Sequence, residues 1–272
     1  MHAPPNWPLL ALGLLLLIAL LLAGWAALRR ARLRKRVPAK RAPRLRYPVV
    51  LAHGVFGFDE IALAGTRHQY FRNIARRLDT AQWHALRLPP VSSVTRRADQ
   101  LVALVHALPA KRLNVIAHSM GGLDARLAIT RLGLSGRVAS LTTIGAPHFG
   151  TPLASAPLGR ALGRRLAAFR DLTPEALERF NREVPDAAGV AYCSIVAQTS
   201  LRQTNPLLWP GHLYLSRHAG PNDGLVPTAS MRWGKVLREI EADHWAQVGW
   251  SLRFDAVALY EEILRELAGL GF

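Results

Sequence analysis

The sequence predicts an α/β fold in which a mostly parallel sheet is covered by helices on both faces. From Tyr47 onward, short apolar runs suited to buried strands alternate with segments that have helical spacing. One of these runs breaks at a serine between small residues and resumes with helical spacing, as a strand of such a sheet does where it turns into a helix. With 272 residues, the chain is long enough for one large domain of this class and an N-terminal appendage.

The predicted elements cover much of the chain after residue 47. Strands are predicted at Pro48–Ala52, Trp83–Leu88, Leu113–His118, Val138–Ile144, Val190–Ala197 and His212–Leu215. Helices are predicted at His68–Leu78, Arg96–Leu108, Leu123–Leu132 and Phe254–Leu267. The alternation stops between Ala146 and Gly189, which indicates an irregular insertion in this domain.

The N-terminal segment Leu9–Leu28 contains no charged residue and consists mostly of leucine and alanine. As a helix, its 20 residues would be roughly 30 Å long, which is about the thickness of the hydrocarbon layer of a bilayer. A secretory signal is the alternative, but such a signal has a basic n-region and a shorter apolar core, whereas residues 1–8 contain no lysine or arginine. We therefore expect residues 1–28 to be a retained N-terminal transmembrane helix.

A strongly basic linker follows the anchor. Arg29–Arg46 contains ten of the 35 lysine and arginine residues, and residues 1–46 contain no acidic residue. Removing these ten charges from the formal net charge of +17 leaves +7 for the rest of the chain. No aromatic residues interleave with the basic ones, so we expect contact with anionic lipid head groups and not with nucleic acid. Because flanking positive charge stays on the cytoplasmic side, the domain formed by residues 47–272 is expected in the cytoplasm.

The chain has one cysteine, Cys193, so it cannot form an intrachain disulfide. This fits a reducing compartment without requiring one. Cys193 lies in an apolar, strand-like run, and we expect it to be a small buried core residue.

The junction between strand and helix carries the candidate nucleophile, Ser119. A strand that turns into a helix around one residue holds that residue in a strained conformation and exposes its side chain at the end of the sheet. Small residues are needed around it because the strand and the helix nearly touch. Ala117, Gly121 and Gly122 supply them, and the side chain of His118 is expected to point away from the serine.

A serine hydroxyl needs a base to take its proton, and the base needs a third group to orient it. In this kind of fold the three should follow in the order serine, acid, histidine. His244 comes after the strand-like segments and before the final helix, so it is the candidate base. Asp223, in the turn sequence Pro221–Gly224, is the candidate acid. Asp243 is the rival, but a residue next to His244 cannot easily reach the far nitrogen of the imidazole.

The tetrahedral intermediate of acyl transfer needs backbone N–H donors, each contributing about a hundred- to a thousand-fold in rate. One donor is expected from Met120, which follows the nucleophile. The other is expected from Val55, in the glycine-containing loop His53–Gly57 after the first strand.

Five blocks of sequence, taken together, resemble the bacterial triacylglycerol lipases of the α/β-hydrolase family. They are Tyr47–Gly54, Ala117–Gly122, Gly145–Thr151, Asn222–Pro227 and Asp243–His244, and they span most of residues 47–272. The resemblance implies an α/β-hydrolase fold with Ser119, Asp223 and His244 as a catalytic triad and Val55 and Met120 as oxyanion donors. It also implies a lipid-ester substrate and a helical lid after the Gly145 block. We expect no cofactor.

Two departures from that family argue against a calcium site and against strict specificity for triglycerides. Secreted members often carry a disulfide, which this chain cannot form. They also often bind calcium through an aspartate two residues after the catalytic histidine, a position that Ala246 occupies here. We therefore expect no metal site and activity that survives chelators, in keeping with a membrane-tethered intracellular form.

The insertion at about residues 150–188 suits a lid. Leu158, Leu162, Leu166 and Phe169 repeat at helical spacing, with arginines between them. Such a helix could cover a pocket in water and turn its apolar face to lipid, although a helix packed permanently on the core gives the same pattern.

The favoured function is that of a membrane-anchored serine esterase or lipase that acts through an acyl-enzyme. Two alternatives stay open on the sequence. One is an acyltransferase using the same three residues, in which an alcohol replaces water in the second half-reaction. The other is a non-catalytic, membrane-tethered interaction protein on a hydrolase scaffold.

Overall fold

The structure, a computed structural model, describes residues 42–57, 60–63, 66–72, 74, 78 and 83–272. The predicted anchor Leu9–Leu28 and most of the basic linker lie outside these residues. Within the described ranges, no helix combines the length and apolar character that a membrane crossing requires.

Six strands form a parallel sheet in the order β4-β1-β5-β6-β7-β8. Their bounds are β1 Val49–Ala52, β4 Trp83–Leu86, β5 Leu113–His118, β6 Val138–Ile144, β7 Ala191–Gln198 and β8 Lys235–Glu241. A separate antiparallel hairpin consists of β2 Glu60–Leu63 and β3 Thr66–Gln69. The predicted α/β fold with a parallel sheet is therefore confirmed.

Helices cover both faces of this sheet. The helices are α1 Val94–His106, α2 Gly121–Arg131, α3 Pro152–Ser155, α4 Pro157–Gly163, α5 Ala167–Asp171, α6 Pro174–Glu183, α7 Trp209–His218 and α8 Ala256–Gly269. On one face Leu101 of α1 and Ile129 of α2 pack with Val115 of β5. On the other face Ile263 of α8 packs with Ile116 of β5. Because adjacent residues of β5 point to opposite faces, this strand is buried on both sides.

Two predicted elements outside the insertion are wrong. His212–Leu215, predicted as a strand, lies within α7, where His212 and Leu215 are buried while Leu213 is exposed. Buried residues three positions apart are typical of a helix, and Pro210 in its first turn fits a helix start. The helix predicted at His68–Leu78 cannot begin at His68, because residues 68 and 69 belong to β3. The rest of that segment is described only in part.

The insertion consists of four short helices, α3 to α6. The single helix predicted through Leu158, Leu162, Leu166 and Phe169 is wrong, since α4 ends at Gly163 and α5 begins at Ala167. Leu166, the residue before α5, has an extended backbone that interrupts the helical spacing. Glycine weakens a helix by about 1 kcal/mol relative to alanine, which favours a break at this position.

The described chain begins and ends at the same place in the fold. The amide of Arg46 donates a hydrogen bond of 2.9 Å to the carbonyl oxygen of Phe272. Leu45 and Phe272 both pack on the cluster of apolar residues beneath α8. Arg46, the last residue of the basic linker, therefore lies beside residue 272.

Candidate active site

Ser119 lies where β5 ends and α2 begins, and its backbone is in the left-handed region with φ of +57°. A non-glycine residue in this region costs on the order of 1–3 kcal/mol, so the surrounding structure must hold it there. Its amide donates to the carbonyl of Ile144 at 2.9 Å, and its carbonyl accepts from Gly122 at 3.0 Å. The strained conformation is thus fixed by both the neighbouring strand and the helix.

Small residues around Ser119 allow the backbone segments to approach one another. A Cβ atom on Gly121 would lie 2.7 Å from the carbonyl oxygen of Ala52, and one on Gly122 would lie 2.9 Å from Cβ of Ala146. Ala117, two residues before the serine, is fully buried beside Ala52 of β1. Any larger side chain at these positions would displace the first strand or the strand after α2.

Asp223 and His244 lie together, as the chain order predicted. Nδ1 of His244 and Oδ2 of Asp223 are 2.6 Å apart, and both side chains are buried. The amide of His244 also donates to the carbonyl of Asp223 at 2.9 Å, so backbone and side chain fix the same pair. This geometry leaves Nε2 of His244 as the nitrogen free of the carboxylate.

The carboxylate of Asp223 accepts three further hydrogen bonds. The amides of Leu225 and Val226 donate to Oδ1, at 3.0 and 2.8 Å. The side-chain amide of Gln247 donates to Oδ2 at 2.8 Å. These donors hold the carboxylate in the orientation in which Oδ2 faces the ring of His244.

Asp243 is occupied elsewhere. Its Oδ1 accepts from the amides of Trp245 and Ala246, and its Oδ2 accepts from the amide of Asn205 at 2.8 Å. The carboxylate therefore ties the turn that carries His244 to the loop before α7. The described residues contain no cluster of three or more histidine, cysteine, aspartate or glutamate side chains suited to a metal ion.

The loop that follows β1 is held by a buried arginine. The guanidinium of Arg97 donates to the carbonyls of His53 and Pro89 and pairs with Asp124 at 2.8 Å. Burial raises the pKa of Asp124 to about 7, and the Arg97 charge opposes this rise. Arg97 thus joins α1, α2 and the loop.

The same loop contains a second strained residue, Phe56, with φ of +54°. Its amide donates to the carbonyl of Pro90 at 2.8 Å. The amides of Val55 and Met120 donate no hydrogen bond to a described residue. These two donors, predicted to bind an oxyanion, are therefore not used by the described part of the fold.

His118 is fully buried beside His244, with ring centroids 4.5 Å apart. Burial holds the pKa of His118 well below its usual range, and the nearby His244 adds to the effect. Burial likewise lowers the pKa of His53 to about 4. Both rings are therefore neutral near pH 7.

Three residues that contact this site were not predicted from the sequence: Arg97, Gln247 and Tyr70. Gln247 follows His244 by three residues and lies in the short helix Ala246–Val248, so its closeness along the chain could have suggested it. Arg97 lies 44 positions after its partner His53, and Tyr70 lies 48 positions before its partner His118. No local pattern signals contacts at such separations.

The sequence is 30% identical over 285 residues to a triacylglycerol lipase of Vibrio cholerae, covering 83% of this chain and 89% of that protein. A triacylglycerol lipase of Pseudomonas fragi is 27% identical over 293 residues, covering 83% of this chain and 97% of that protein. No family model matches the sequence.

Solved structures show the same fold. A carboxyl esterase of metagenomic origin superposes with a TM-score of 0.70 at 22% identity, covering 84% of this chain and 77% of that one. Lipase 1 from Pelosinus fermentans superposes with a TM-score of 0.67 at 18% identity, covering 84% of this chain and 100% of that one. The superpositions show the fold, and the Vibrio cholerae relative shows the family. The chain belongs to the bacterial triacylglycerol lipases of the α/β-hydrolase fold.

Proposed function

We propose that this protein is a serine esterase or lipase that hydrolyses lipid esters through an acyl-enzyme. The observation that carries the proposal is the buried pair of Asp223 and His244, which packs on the residue immediately before a strained Ser119. A nucleophile, a base and an acid that orients the base are the groups that acyl transfer requires.

In the first half-reaction, Oγ of Ser119 attacks the ester carbonyl while Nε2 of His244 takes the hydroxyl proton. The carbonyl oxygen becomes an oxyanion, and the amides of Val55 and Met120 donate to it. Asp223 accepts from Nδ1 of His244 and stabilises the imidazolium. The intermediate then collapses, the C–O bond to the alcohol breaks, and His244 returns the proton to the leaving alkoxide.

In the second half-reaction, water attacks the acyl group on Ser119 as His244 takes one of its protons. The oxyanion forms against the same two amides. Collapse breaks the bond between the acyl carbon and Oγ of Ser119, and His244 protonates that oxygen. The products are a carboxylic acid and the free enzyme.

A lid over this site is part of the proposal. Residues 150–188 contain α3 to α6, and Leu158 of α4 is 72% exposed. Phe169 of α5 contacts Phe56 of the loop after β1, with ring centroids 5.9 Å apart. A displacement of α5 would therefore change a direct contact of the loop that supplies the Val55 amide.

The substitution Ser119→Ala tests the mechanism. Loss of a triad nucleophile lowers turnover on the order of a million-fold, so hydrolysis of p-nitrophenyl esters should disappear at every chain length. A phosphonate probe should label the wild type and not the variant, while the thermal midpoint stays within a few degrees. Labelling that persists at another serine would assign the nucleophile elsewhere.

We further propose that Leu9–Leu28 anchors the protein in a membrane with the hydrolase domain in the cytoplasm. The apolar length of the segment and the ten basic residues that follow support this topology. Protease added to spheroplasts should leave the domain intact and digest it after lysis. Digestion of the domain in intact spheroplasts would show that it lies outside the cytoplasm. The proposed chemistry would not be affected by that result.

A further inference from the structure

A continuous path of hydrogen bonds connects the loop after β1 with the backbone of His244. The amide of Gly54 donates to the hydroxyl of Tyr70 at 3.2 Å. That hydroxyl lies 2.7 Å from Nδ1 of His118. Nε2 of His118 lies 3.1 Å from the carbonyl oxygen of His244.

Only one arrangement of protons satisfies every bond in this path. A carbonyl oxygen can only accept, so Nε2 of His118 carries the proton and Nδ1 carries a lone pair. The Tyr70 hydroxyl must then donate to Nδ1, while its oxygen accepts from Gly54. Burial raises the pKa of Tyr70 and lowers that of His118, so both groups stay neutral and keep this arrangement.

The path joins two parts of the site that must keep a fixed separation. Gly54 precedes Val55, whose amide is one oxyanion donor, and Cβ of Ser119 lies within 2.6 Å of where a Gly54 side chain would begin. At the other end, His118 holds His244 both through its carbonyl and by packing against its ring. Because the His118 ring is neutral, it does not repel the positive charge that His244 carries as an imidazolium.

We propose that Tyr70 and His118 are positioning residues for the ester hydrolysis described above, and that they fix the base relative to the oxyanion loop. Each acts through its hydrogen-bond partners, Tyr70 through the Gly54 amide and His118 through the His244 carbonyl. Their effect is on the relative placement of His244 and the Val55 amide, where a misplacement of about 1 Å can cost a hundred-fold in rate. The inference rests on the proposed function of Ser119 and His244.

The test uses the full chain in detergent and measures kcat and KM on a p-nitrophenyl ester. Tyr70→Phe should lower kcat about tenfold and His118→Phe about a hundred-fold, with KM changed less than twofold. His118→Gln should recover at least part of this loss, because its Nε2 sits the same number of bonds from Cβ and can donate to the His244 carbonyl. Tyr260→Phe is the control, since it removes the hydroxyl of a fully buried tyrosine, and that hydroxyl has no hydrogen-bond partner among the described residues. It should leave kcat unchanged.

A spectroscopic readout separates positioning from general loosening of the fold. The Nδ1 proton of His244, shared with Asp223 at 2.6 Å, should give a far-downfield proton resonance in the wild type and in Tyr260→Phe. It should shift or broaden in Tyr70→Phe and His118→Phe and return toward its position in His118→Gln.

The outcomes are distinguishable. Activity that survives Ser119→Ala overturns the proposed function itself. If Ser119→Ala is inactive while Tyr70→Phe keeps the wild-type kcat and resonance, the positioning role is wrong. If His118→Phe fails to fold, the kcat values and resonances of Tyr70→Phe and His118→Gln test the positioning role. A loss of kcat that tracks the thermal midpoint alone, without rescue by glutamine, also overturns the proposal.

Discussion

At the scale of single residues, Asp223 and Asp243 differ in what their carboxylates bind. Asp223 accepts from the ring of His244, whereas Asp243 accepts only backbone amides. Asp223→Asn should lower kcat about 10⁴-fold, because an amide favours the wrong tautomer of the histidine. Asp243→Asn should instead lower the free energy of unfolding by about 1–3 kcal/mol and spare most of the turnover. Urea unfolding and steady-state kinetics on both variants check this. The reverse ranking of the two kcat values would reassign the acid.

Gly145 offers a second test at this scale. Its φ is +57°, and a Cβ atom there would lie 2.2 Å from Oε1 of Gln247 and 3.3 Å from Oδ2 of Asp223. Gly145→Ala should therefore lower both stability and kcat, since Gln247 must move away from Asp223. Gly133 also has positive φ but no atom within 4 Å of such a Cβ. Gly133→Ala should cost about 1 kcal/mol of stability with no change in kcat. Equal activity in the two variants would contradict the role given to Gln247.

The residues whose placement could be predicted are those with a local signal. Ser119 stands between small residues at a strand end, and Asp223 lies in a turn sequence. For His244, the signal for a catalytic base is its position along the chain, after the strands and before the final helix. Tyr70, His118 and Arg97 act through partners tens of residues away, and only the folded sheet brings these together.

At the scale of elements, the exposed face of the insertion can be tested through Leu158. Burying a leucine at a lipid surface contributes about 2 kcal/mol, so Leu158→Glu should reduce hydrolysis of an emulsified long-chain ester at least about tenfold. Hydrolysis of a dissolved short-chain ester should stay at the wild-type rate. Leu270→Glu is the control, because Leu270 is also an exposed leucine, at 41%, but follows α8 at the far end of the chain. Equal losses in both variants would mean that α4 does not meet lipid.

Two strands that are buried at every position were predicted, whereas the partly exposed edge strand β8 was missed. Leu113–His118 and Val138–Ile144 are buried at every position, and continuous apolar runs predicted both. Lys235–Glu241 is an edge strand whose charged residues face solvent, so its sequence does not stand out from a loop. The segment His212–Leu215 was misjudged because four residues are too few to separate a strand from a helix.

At the scale of the whole molecule, buried histidines should govern acid stability. Burial lowers the pKa of His53, His118 and His148 in the folded state. The unfolded chain therefore binds more protons than the folded one below about pH 6.5, and the free energy of unfolding falls as the pH drops. Each such group contributes at most about 1.4 kcal/mol per pH unit, while the raised pKa of Asp124 acts in the opposite direction.

The substitution His148→Gln isolates one of these contributions. Between pH 6 and 4.5, the slope of unfolding free energy against pH should be smaller in the variant, by at most about 1.4 kcal/mol per pH unit. His218→Gln is the control, since this side chain is exposed in the fold and should leave the slope unchanged. Urea titrations at four pH values give the slopes. Parallel lines for the wild type and His148→Gln would show that the buried ring does not control the titration.

The hydrogen bond between Arg46 and Phe272 makes the described domain nearly a closed ring of polypeptide. A short flexible bridge between these two residues would cost little closure entropy, so circular permutation is open to this protein. New ends could be placed at the exposed turn of Gly189, where a Cβ atom would meet nothing within 4 Å and the cut would give up one hydrogen bond, from Arg112 to the Gly189 carbonyl. The proposed anchor, fused to the new N-terminus, would then leave from a different side of the domain while Ser119 and its partners kept their places. Comparing such permutants on vesicles would measure how the orientation of an enzyme on a bilayer, separate from its chemistry, sets its rate on lipid.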